Sequence, residues 1–491
     1  MSSELDLLRQ TLRRHAHERP QQPALRDATD RLDHAALLTA VESREALLRA
    51  EPPGVFALAL DNGAELLLWD LAALLGERPC LILPPFFSPA QRAHCLAQSQ
   101  ANLLLGGDDI GEELKAAGFH HDGRFWRRDL SLPPLPPGTA KITYTSGTTG
   151  TPKGVCLDAA SMLRVARELE LASRPAEPHC HFAVLPLAVL LENLGLYAAL
   201  YAGAELVLLS QAQLGMHGAS GVDWPRLLGG IALSGAQSLI LVPQLLLGLV
   251  TAIELGRMRV GSLRFVAVGG ARVSADLLAR AERIGLPVFE GYGLSECASV
   301  VSLNRPGATR PGSVGRPLPH VRVKLADDGE VLVSGNTLLG YLGEAPFAGE
   351  WWPTGDLGHF DEDGYLYLHG RQKNQFITSF GRNVNPEWIE AELTQRGVIA
   401  QAFVHGEGQA RNVALLWPLD PQCSDATLAE SVAQCNAALP DYAQVHLWVR
   451  LAEPFSSANG LLTANGRPRR AAILQRYGAL VTDRGNSHGV L

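Results

Sequence analysis

The chain has 491 residues, 46% of them hydrophobic, with 49 glycines and 31 prolines. It is too long for one core, so two or three domains are expected, and too apolar and rich in turns to be a disordered polymer. A formal charge of −8, from 42 basic and 50 acidic residues, excludes the broad basic footprint of a nucleic-acid binder; an anionic substrate has to be met by a local site.

In chain order, residues 5–50 read as largely helical, with leucines and alanines at helical spacing. Residues 55–60 form an apolar run before Asp61-Asn62-Gly63, which suits a buried strand and turn. A helical stretch through Leu75 leads to a strand at 80–83, stopped by Pro84-Pro85. Further strands are expected at 102–105, 183–185, 205–209, 239–242 and 265–268, with helical segments between. Such alternation predicts α/β layers with buried, mostly parallel sheets. The apolar stretches 182–209 and 239–250 are broken by Glu192, Asn193, Glu205, Pro243 and Gln244. Neither offers the ~20 clean apolar residues of a membrane span, and both read as buried segments walling an apolar pocket. The proline-rich segment 132–138 cannot be helix interior and passes the chain onward to the run described below.

From about residue 312 the texture changes to short strands and close turns. A β-hairpin is expected around Asp327-Asp328-Gly329, and a second turn at 361–364 before a strand at 365–368. A domain boundary is expected near 371–373. It separates an N-terminal domain (1–371), with layered sheets and a β-rich subdomain, from a small α+β domain (372–480) and a flexible polar tail (481–491). Seven widely spaced cysteines without a CxxC pair fit free thiols in a reducing cytoplasm. The first residues lack the basic-then-apolar pattern of a secretion signal, so a cytoplasmic protein is expected. His179-Cys180-His181 reads as structural, because adjacent side chains point apart and no partner cluster accompanies them.

Between Ile142 and Val155 lies Tyr144-Thr145-Ser146-Gly147-Thr148-Thr149-Gly150-Thr151-Pro152-Lys153-Gly154. Glycines let backbone N–H groups curl around an anion, hydroxyls add hydrogen bonds, and a lysine adds a point charge. That is the chemistry of a polyphosphate cradle. It is not the P-loop, which requires four residues between its glycines and Ser or Thr after the lysine. Four more elements follow in order: Gly269-Gly270-Ala271; Tyr292-Gly293-Leu294-Ser295-Glu296; Trp352-Pro353-Thr354-Gly355-Asp356; and Gly370-Arg371-Gln372-Lys373, continuing into Phe376-Ile377-Thr378-Ser379-Phe380-Gly381-Arg382-Asn383.

This series resembles the adenylate-forming superfamily, closest to bacterial fatty-acyl-CoA and acyl-carrier ligases, over roughly residues 50–470. The resemblance implies a large α/β domain and a small mobile α+β cap. It implies that Thr145, Ser146, Gly147, Thr148, Thr149, Gly150 and Lys153 hold the phosphates of ATP. Gly269, Gly270 and Ala271 would cover one face of adenine and Tyr292, beside Gly293, the other. Ser295 would meet the α-phosphate, Glu296 would hold Mg²⁺, and Asp356 would take the ribose hydroxyls with Arg371 beside it. Lys373 falls on the hinge position, and Gly381 on the glycine that approaches a pantetheine thiol in a second pose.

One position departs from the pattern. Where the family carries a lysine that bridges the carboxylate and α-phosphate, this chain has Arg467, followed by Arg469 and Arg470. Arginine keeps the charge but is forked and bulkier. Arg467 does the same electrostatic work, a neighbouring arginine takes it over, or the first half-reaction is slow. In 184–193 there is no aspartate of the kind that amino-acid-activating relatives use for an α-ammonium. An unpartnered buried ammonium is costly, so an apolar acyl group is expected, with Glu192 leaving a small opening for an amine. The expected reaction is activation of a carboxylic acid by ATP and transfer to CoA or to the phosphopantetheine of an acyl carrier protein. An amino-acid or aryl-acid adenylating enzyme and a catalytically weak nucleotide-binding homologue remain as alternatives. No nucleic-acid partner is expected, and the oligomeric state is left open.

Overall fold

The computed structural model describes residues 3–129, 135–145, 152–217, 221–259, 261–463 and 466–486. Two helices decide how the chain layers. Ala64–Leu75 and Leu190–Ala202 are apolar nearly all round, and almost every residue of each is buried. A helix without a polar face has to be covered on every side. Accordingly, one core cluster gathers these helices with inward side chains of two different sheets, among them Phe56, Leu58 and Leu157 from one and Ala183, Leu206 and Phe265 from the other.

Both sheets have parallel centres and antiparallel edges. In the eight-stranded sheet Phe56–Ala59 pairs in parallel with Cys80–Ile82 and Leu103–Gly106, and Cys80–Ile82 with Thr139–Thr145. Thr139–Thr145 then pairs antiparallel with Lys153–Asp158. In the nine-stranded sheet Cys180–Ala183, Ser238–Leu241, Phe265–Val268 and Val288–Tyr292 run parallel, and the edge strands beyond Val288–Tyr292 are antiparallel. The β-rich portion is a four-stranded antiparallel sheet in which Arg322–Leu325 and Glu330–Ser334 form the expected hairpin. The C-terminal portion has its own cores, built on Ile399–His405, Asn412–Pro418 and Val445–Arg450 with helices Pro386–Thr394, Asp425–Ala437 and Arg470–Asn486. The fold is thus the expected layered α/β body with a β-rich subdomain and a small α+β C-terminal part.

Three local expectations change. The strand expected at 183–185 is Cys180–Ala183, in register with Glu205–Leu208. Beyond Ala183 the backbone N–H groups of Val184 and Leu185 donate to the Glu192 carboxylate, so they leave the ladder. The stretch read as helical at 5–50 is two helices, Glu4–Glu18 and His34–Arg49, separated by the strands Pro23–Arg26 and Arg31–Asp33. Asp27 closes the turn between them by accepting from Thr29 and Asp30 N–H. The last helix runs to Asn486, past the expected start of the tail at 481, because Val481 is fully buried against the C-terminal core. Residues 487–491 lie outside the described residues.

A buried ionic cluster joins the layers. Lys141 donates to Asp70 at 2.7 Å, to Asn193 at 2.5 Å and to Tyr197 at 3.1 Å, while Tyr197 and Asn193 also donate to Asp70 at 2.5 and 2.9 Å. All four side chains are buried. The cluster ties both apolar helices to Thr139–Thr145, the strand that delivers the chain to residue 146. Removing one partner leaves a charge buried without compensation, which costs about 3–5 kcal/mol. Lys141→Met is therefore expected to lower the unfolding free energy by about that amount, measured by urea denaturation. Lys141→Met combined with Asp70→Leu is expected to recover part of the loss; a double variant weaker than the single one would show that the charges are not the coupled pair.

Candidate active site

The strands of the nine-stranded sheet end together, and the turns that follow them open onto a continuous cavity of about 1840 Å³. This is the carboxyl end of a parallel sheet, where ligands of open α/β folds bind. Phe265–Val268 ends at Gly269 and Gly270; Gly270 has φ of +81°, a left-handed turn that glycine adopts without strain. Val288–Tyr292 delivers Tyr292 to the same cavity. Gly293 follows where the chain crosses itself: a Cβ there would lie 1.5 Å from the carbonyl oxygen of Ser299. A short 3₁₀ turn, Ser295–Cys297, then sets Ser295 and Glu296 on the wall.

Asp356 lies in the strand Trp352–Phe360, opposite Arg371 in the neighbouring strand. Its carboxylate accepts from the Tyr292 hydroxyl at 2.6 Å and pairs with Arg371 Nε at 2.9 Å. Arg371 also donates to the carbonyl of Thr354. Burial pushes the Asp356 carboxyl upward; Arg371 and the Tyr292 hydroxyl pull it back. Tyr292, expected against adenine, and Asp356, expected at the ribose, are thus directly bonded. A carboxylate has about four acceptor sites, so these two contacts leave capacity for further donors.

Thr145 closes its strand in register with Lys153, so both ends of the glycine-rich run are fixed. Ser146, Gly147, Thr148, Thr149 and Gly150 lie outside the described residues. The Lys153 ammonium sits 4.8 Å from the centre of the Tyr341 ring and 3.2 Å from Glu344. Tyr341 in turn donates to Glu296 at 2.9 Å. Neither Tyr341 nor Glu344 was anticipated: Gly340-Tyr341-Leu342 carries no pattern, and only the antiparallel pairing of Gly340–Tyr341 with Lys153–Asp158 brings the ring there. Among the described residues no three His, Cys, Asp or Glu side chains form a metal cluster. A single carboxylate is nevertheless compatible with magnesium, which keeps several waters and takes substrate phosphates as ligands.

From the C-terminal part, Arg467 enters the same cavity. Its side chain is exposed to that space, yet protein encloses it on several sides. This enclosure lowers its affinity for the proton, Arg371 adds to the effect, and Glu387, Glu296 and Asp356 oppose it. Arg470 is committed elsewhere, to Glu390 at 2.8 Å and to the carbonyl of Val404, and Arg469 donates to the carbonyl of Gly460. Of the three arginines, Arg467 is the one surrounded by the site's acids. Lys373 lines the opening on the turn Gln372–Asn374; partial burial and Arg371 pull its pKa down. Gly381 is not brought to the cavity. It occupies an exposed turn, with φ of +70° and open space around it.

The inner part of the cavity is apolar. It lies between the nine-stranded sheet and the helix Leu190–Ala202, which presents Gly195, Ala198, Ala199 and Ala202. Glu192 does not line it. The expected opening for an amine is closed: this carboxylate is fully buried and taken up by Val184 N–H, Leu185 N–H and His181 Nε2. Near the other wall, Arg272 donates to the carbonyl of Leu368 and stacks over Trp388, and it faces the buried Glu290. Burial pushes the Glu290 carboxyl up to about 7, with Arg272 and a backbone N–H at Val273 pulling down. Its proton is therefore held more tightly folded than unfolded. The resulting stabilisation is complete below about pH 4.5 and is lost as pH rises through about 7. Denaturation between pH 5 and 8 is expected to show the wild type losing stability relative to Glu290→Gln as pH rises; a constant difference would remove Glu290 as the titrating group.

A family profile described as AMP-binding enzyme matches residues 12–344, and one described as AMP-binding enzyme C-terminal domain matches 373–484. The chain is 30% identical over 247 residues to the long-chain-fatty-acid–CoA ligase FadD15 of Mycobacterium tuberculosis, covering 44% of this chain and 41% of that protein. It thus aligns with less than half of that relative. With the 2-succinylbenzoate–CoA ligase of Bacillus licheniformis it shares 30% identity over 382 residues, covering 71% of this chain and 76% of that one. Among solved structures, the anthranilate CoA ligase AuaEII bound to anthranoyl-AMP superposes with a TM-score of 0.79 at 19% identity, covering 98% of each chain. The o-succinylbenzoate CoA synthetase of Bacillus subtilis with ATP and magnesium gives 0.74 at 24% identity, covering 94% of this chain and 98% of that one. At these identities the structural likeness speaks for the fold alone. With a profile covering more than half of its length, the chain belongs to the AMP-binding enzyme family.

Proposed function

We propose that this chain joins an apolar carboxylic acid to a thiol in two steps, through an acyl-adenylate made from ATP. The observation that carries the reading is one cavity with two chemistries: Asp356, Arg371, Glu296 and Arg467 at its polar end, and the Gly195–Ala202 wall at its apolar end. Curated relatives that are CoA ligases for fatty and aryl acids support the same reaction class.

In the first step a carboxylate oxygen of the acid attacks the α-phosphorus of ATP, the bond to the bridging oxygen breaks, and pyrophosphate leaves. The run containing Thr145, Ser146, Gly147, Thr148, Thr149, Gly150 and Lys153 holds the phosphates, with Ser295 at the α-phosphate. Gly269, Gly270, Ala271 and Tyr292 flank adenine, and Asp356 with Arg371 takes the ribose. Glu296, oriented by Tyr341, is the carboxylate suited to a magnesium ion, which when bound neutralises phosphate charge. Arg467, Thr148 and Thr149 face the charge that develops at phosphorus, where fixed donors act most strongly. In the second step the C-terminal part turns about Lys373, so that Gly381 replaces Arg467 and a thiolate of CoA or a carrier phosphopantetheine attacks the acyl carbon, releasing AMP. A buried Glu192, with both oxygens already hydrogen-bonded and away from the cavity lining, argues against an amino acid as substrate.

Pyrophosphate exchange with a panel of fatty, aryl and amino acids tests the reading. Exchange with apolar fatty or aryl acids is expected and exchange with amino acids is not. Nucleotide binding without exchange on any acid would instead support a regulatory homologue. Arg467→Ala is expected to slow adenylation by about 10²-fold with a far smaller change in ATP affinity. Equal losses in both would contradict its assignment to the reacting centre.

A further inference from the structure

A polar pair, His181 and Ser238, lies on the sheet side of the cavity's apolar part. His181 and Ser238 lie opposite each other in adjacent parallel strands, and Ser238 pairs in register with Phe265. Both line the cavity, on the sheet face turned toward Gly195; a Cβ on Gly195 would lie 3.8 Å from His181 Nε2. His181 Nδ1 is 2.9 Å from Ser238 Oγ, and its Nε2 is 3.0 Å from Glu192 Oε1.

Glu192 accepts two backbone N–H groups on its other oxygen, from Val184 and Leu185. Its first oxygen meets His181 Nε2, and His181 Nδ1 meets the Ser238 hydroxyl. A hydroxyl has one proton and two lone pairs, so one bond to the ring leaves Ser238 with hydrogen-bonding capacity on the cavity side. No other hydrogen bond reaches that oxygen among the described residues. A simple hydrocarbon chain lying against it would leave this capacity unused in a dry wall.

We propose that Ser238 is a specificity residue that hydrogen-bonds a hydroxyl group on the substrate's acyl chain, and that His181 and Glu192 are positioning residues behind it. An ammonium would find both Glu192 oxygens already hydrogen-bonded. The position of the hydroxyl follows from the strands. Phe265, in register with Ser238, precedes Gly269 by four residues, and at ~3.3 Å per residue the polar spot lies about 13 Å down the wall from the nucleotide end. The hydroxyl therefore sits well along the chain, away from the carbons next to the carboxyl.

This inference rests on the reading of the cavity as an acyl site. The test is thioester formation by the full chain with ATP and CoA, comparing saturated fatty acids with hydroxy acids of equal length that carry the hydroxyl at successive positions. At one position kcat/KM is expected to exceed that of the parent acid by about tenfold, the worth of one well-made hydrogen bond. Ser238→Ala is expected to collapse that ratio to near unity, and Ser238→Thr, which keeps the hydroxyl, to retain most of it. Good turnover of the parent acids with no preferred hydroxyl position, or a preference that survives Ser238→Ala, overturns the inference and leaves the acyl reading standing. Failure with every fatty acid, parent and hydroxylated alike, overturns both.

Discussion

The site depends on one buried carboxylate. Asp356 accepts from Tyr292, at the end of a central strand of the nine-stranded sheet, and pairs with Arg371, the last residue before the turn that leads to the C-terminal part. Three pieces of the protein are thereby fixed relative to each other: the parallel sheet, the β-rich subdomain and the start of the linker. A buried ion pair adds little net stability, because desolvation offsets much of the attraction. What it does supply is geometry. The acid cannot leave Tyr292 or Arg371 without stranding a charge, so its free lone pairs point in a fixed direction, and a donor such as a ribose hydroxyl meets a preset acceptor.

The same logic governs how the C-terminal part sits. Its helix Pro386–Thr394 and the residues just after it reach the helix Ala275–Arg283, where Gln395 Oε1 accepts from Ser274 N–H and Glu392 Oε1 from Ala275 N–H. These are first-turn N–H groups that have no partner within their own helix. Arg280 and Arg396 add contacts to the Gln395 carbonyl and to Asp276. Each such contact is polar and reaches water when broken, so the arrangement that brings Arg467 inward is held by interactions that exchange readily with solvent. A large apolar seam at that place would have held it far more firmly. The Gly381 turn, with Phe380 and Ile377 exposed beside it, faces away in this arrangement.

Chemistry was more legible in the sequence than packing was. The glycine-rich run, Tyr292, Asp356, Arg371 and Arg467 stand in short strings whose residue types point to a polyphosphate and a nucleotide; Thr145, Lys153, Tyr292, Asp356, Arg371 and Arg467 line one cavity, and Gly381 does not. Strand Phe265–Val268 and the hairpin at 322–334 were readable because local turn residues bound them. The strand at 180–183 was misplaced because its end is set by the Glu192 side chain, and no local pattern announces that this carboxylate will take two backbone N–H groups. Tyr341 and Glu344 escaped because they reach the site through pairing with a segment far away in sequence. Lys141 shows the limit most clearly. A lysine in a strand reads as an edge or a surface, yet here it lies in the centre because Asp70 and Tyr197, 71 and 56 residues away, complete it.

The shape of the apolar part of the cavity comes from subtraction. Along Leu190–Ala202 the positions facing the sheet are Gly195, Ala198, Ala199 and Ala202, spaced so that one helical face carries almost no side-chain volume. The helix still packs closely where it touches the sheet, since a Cβ at Gly195 would lie 2.2 Å from Ile240 Cδ1. The empty volume is bounded in large part by helix backbone and strand-borne side chains, and closely packed walls discriminate by shape. Apolar shape alone separates substrates weakly, by about 1–3 kcal/mol per methylene. A hydroxyl held by a histidine, as Ser238 is by His181, adds directional selection that volume cannot.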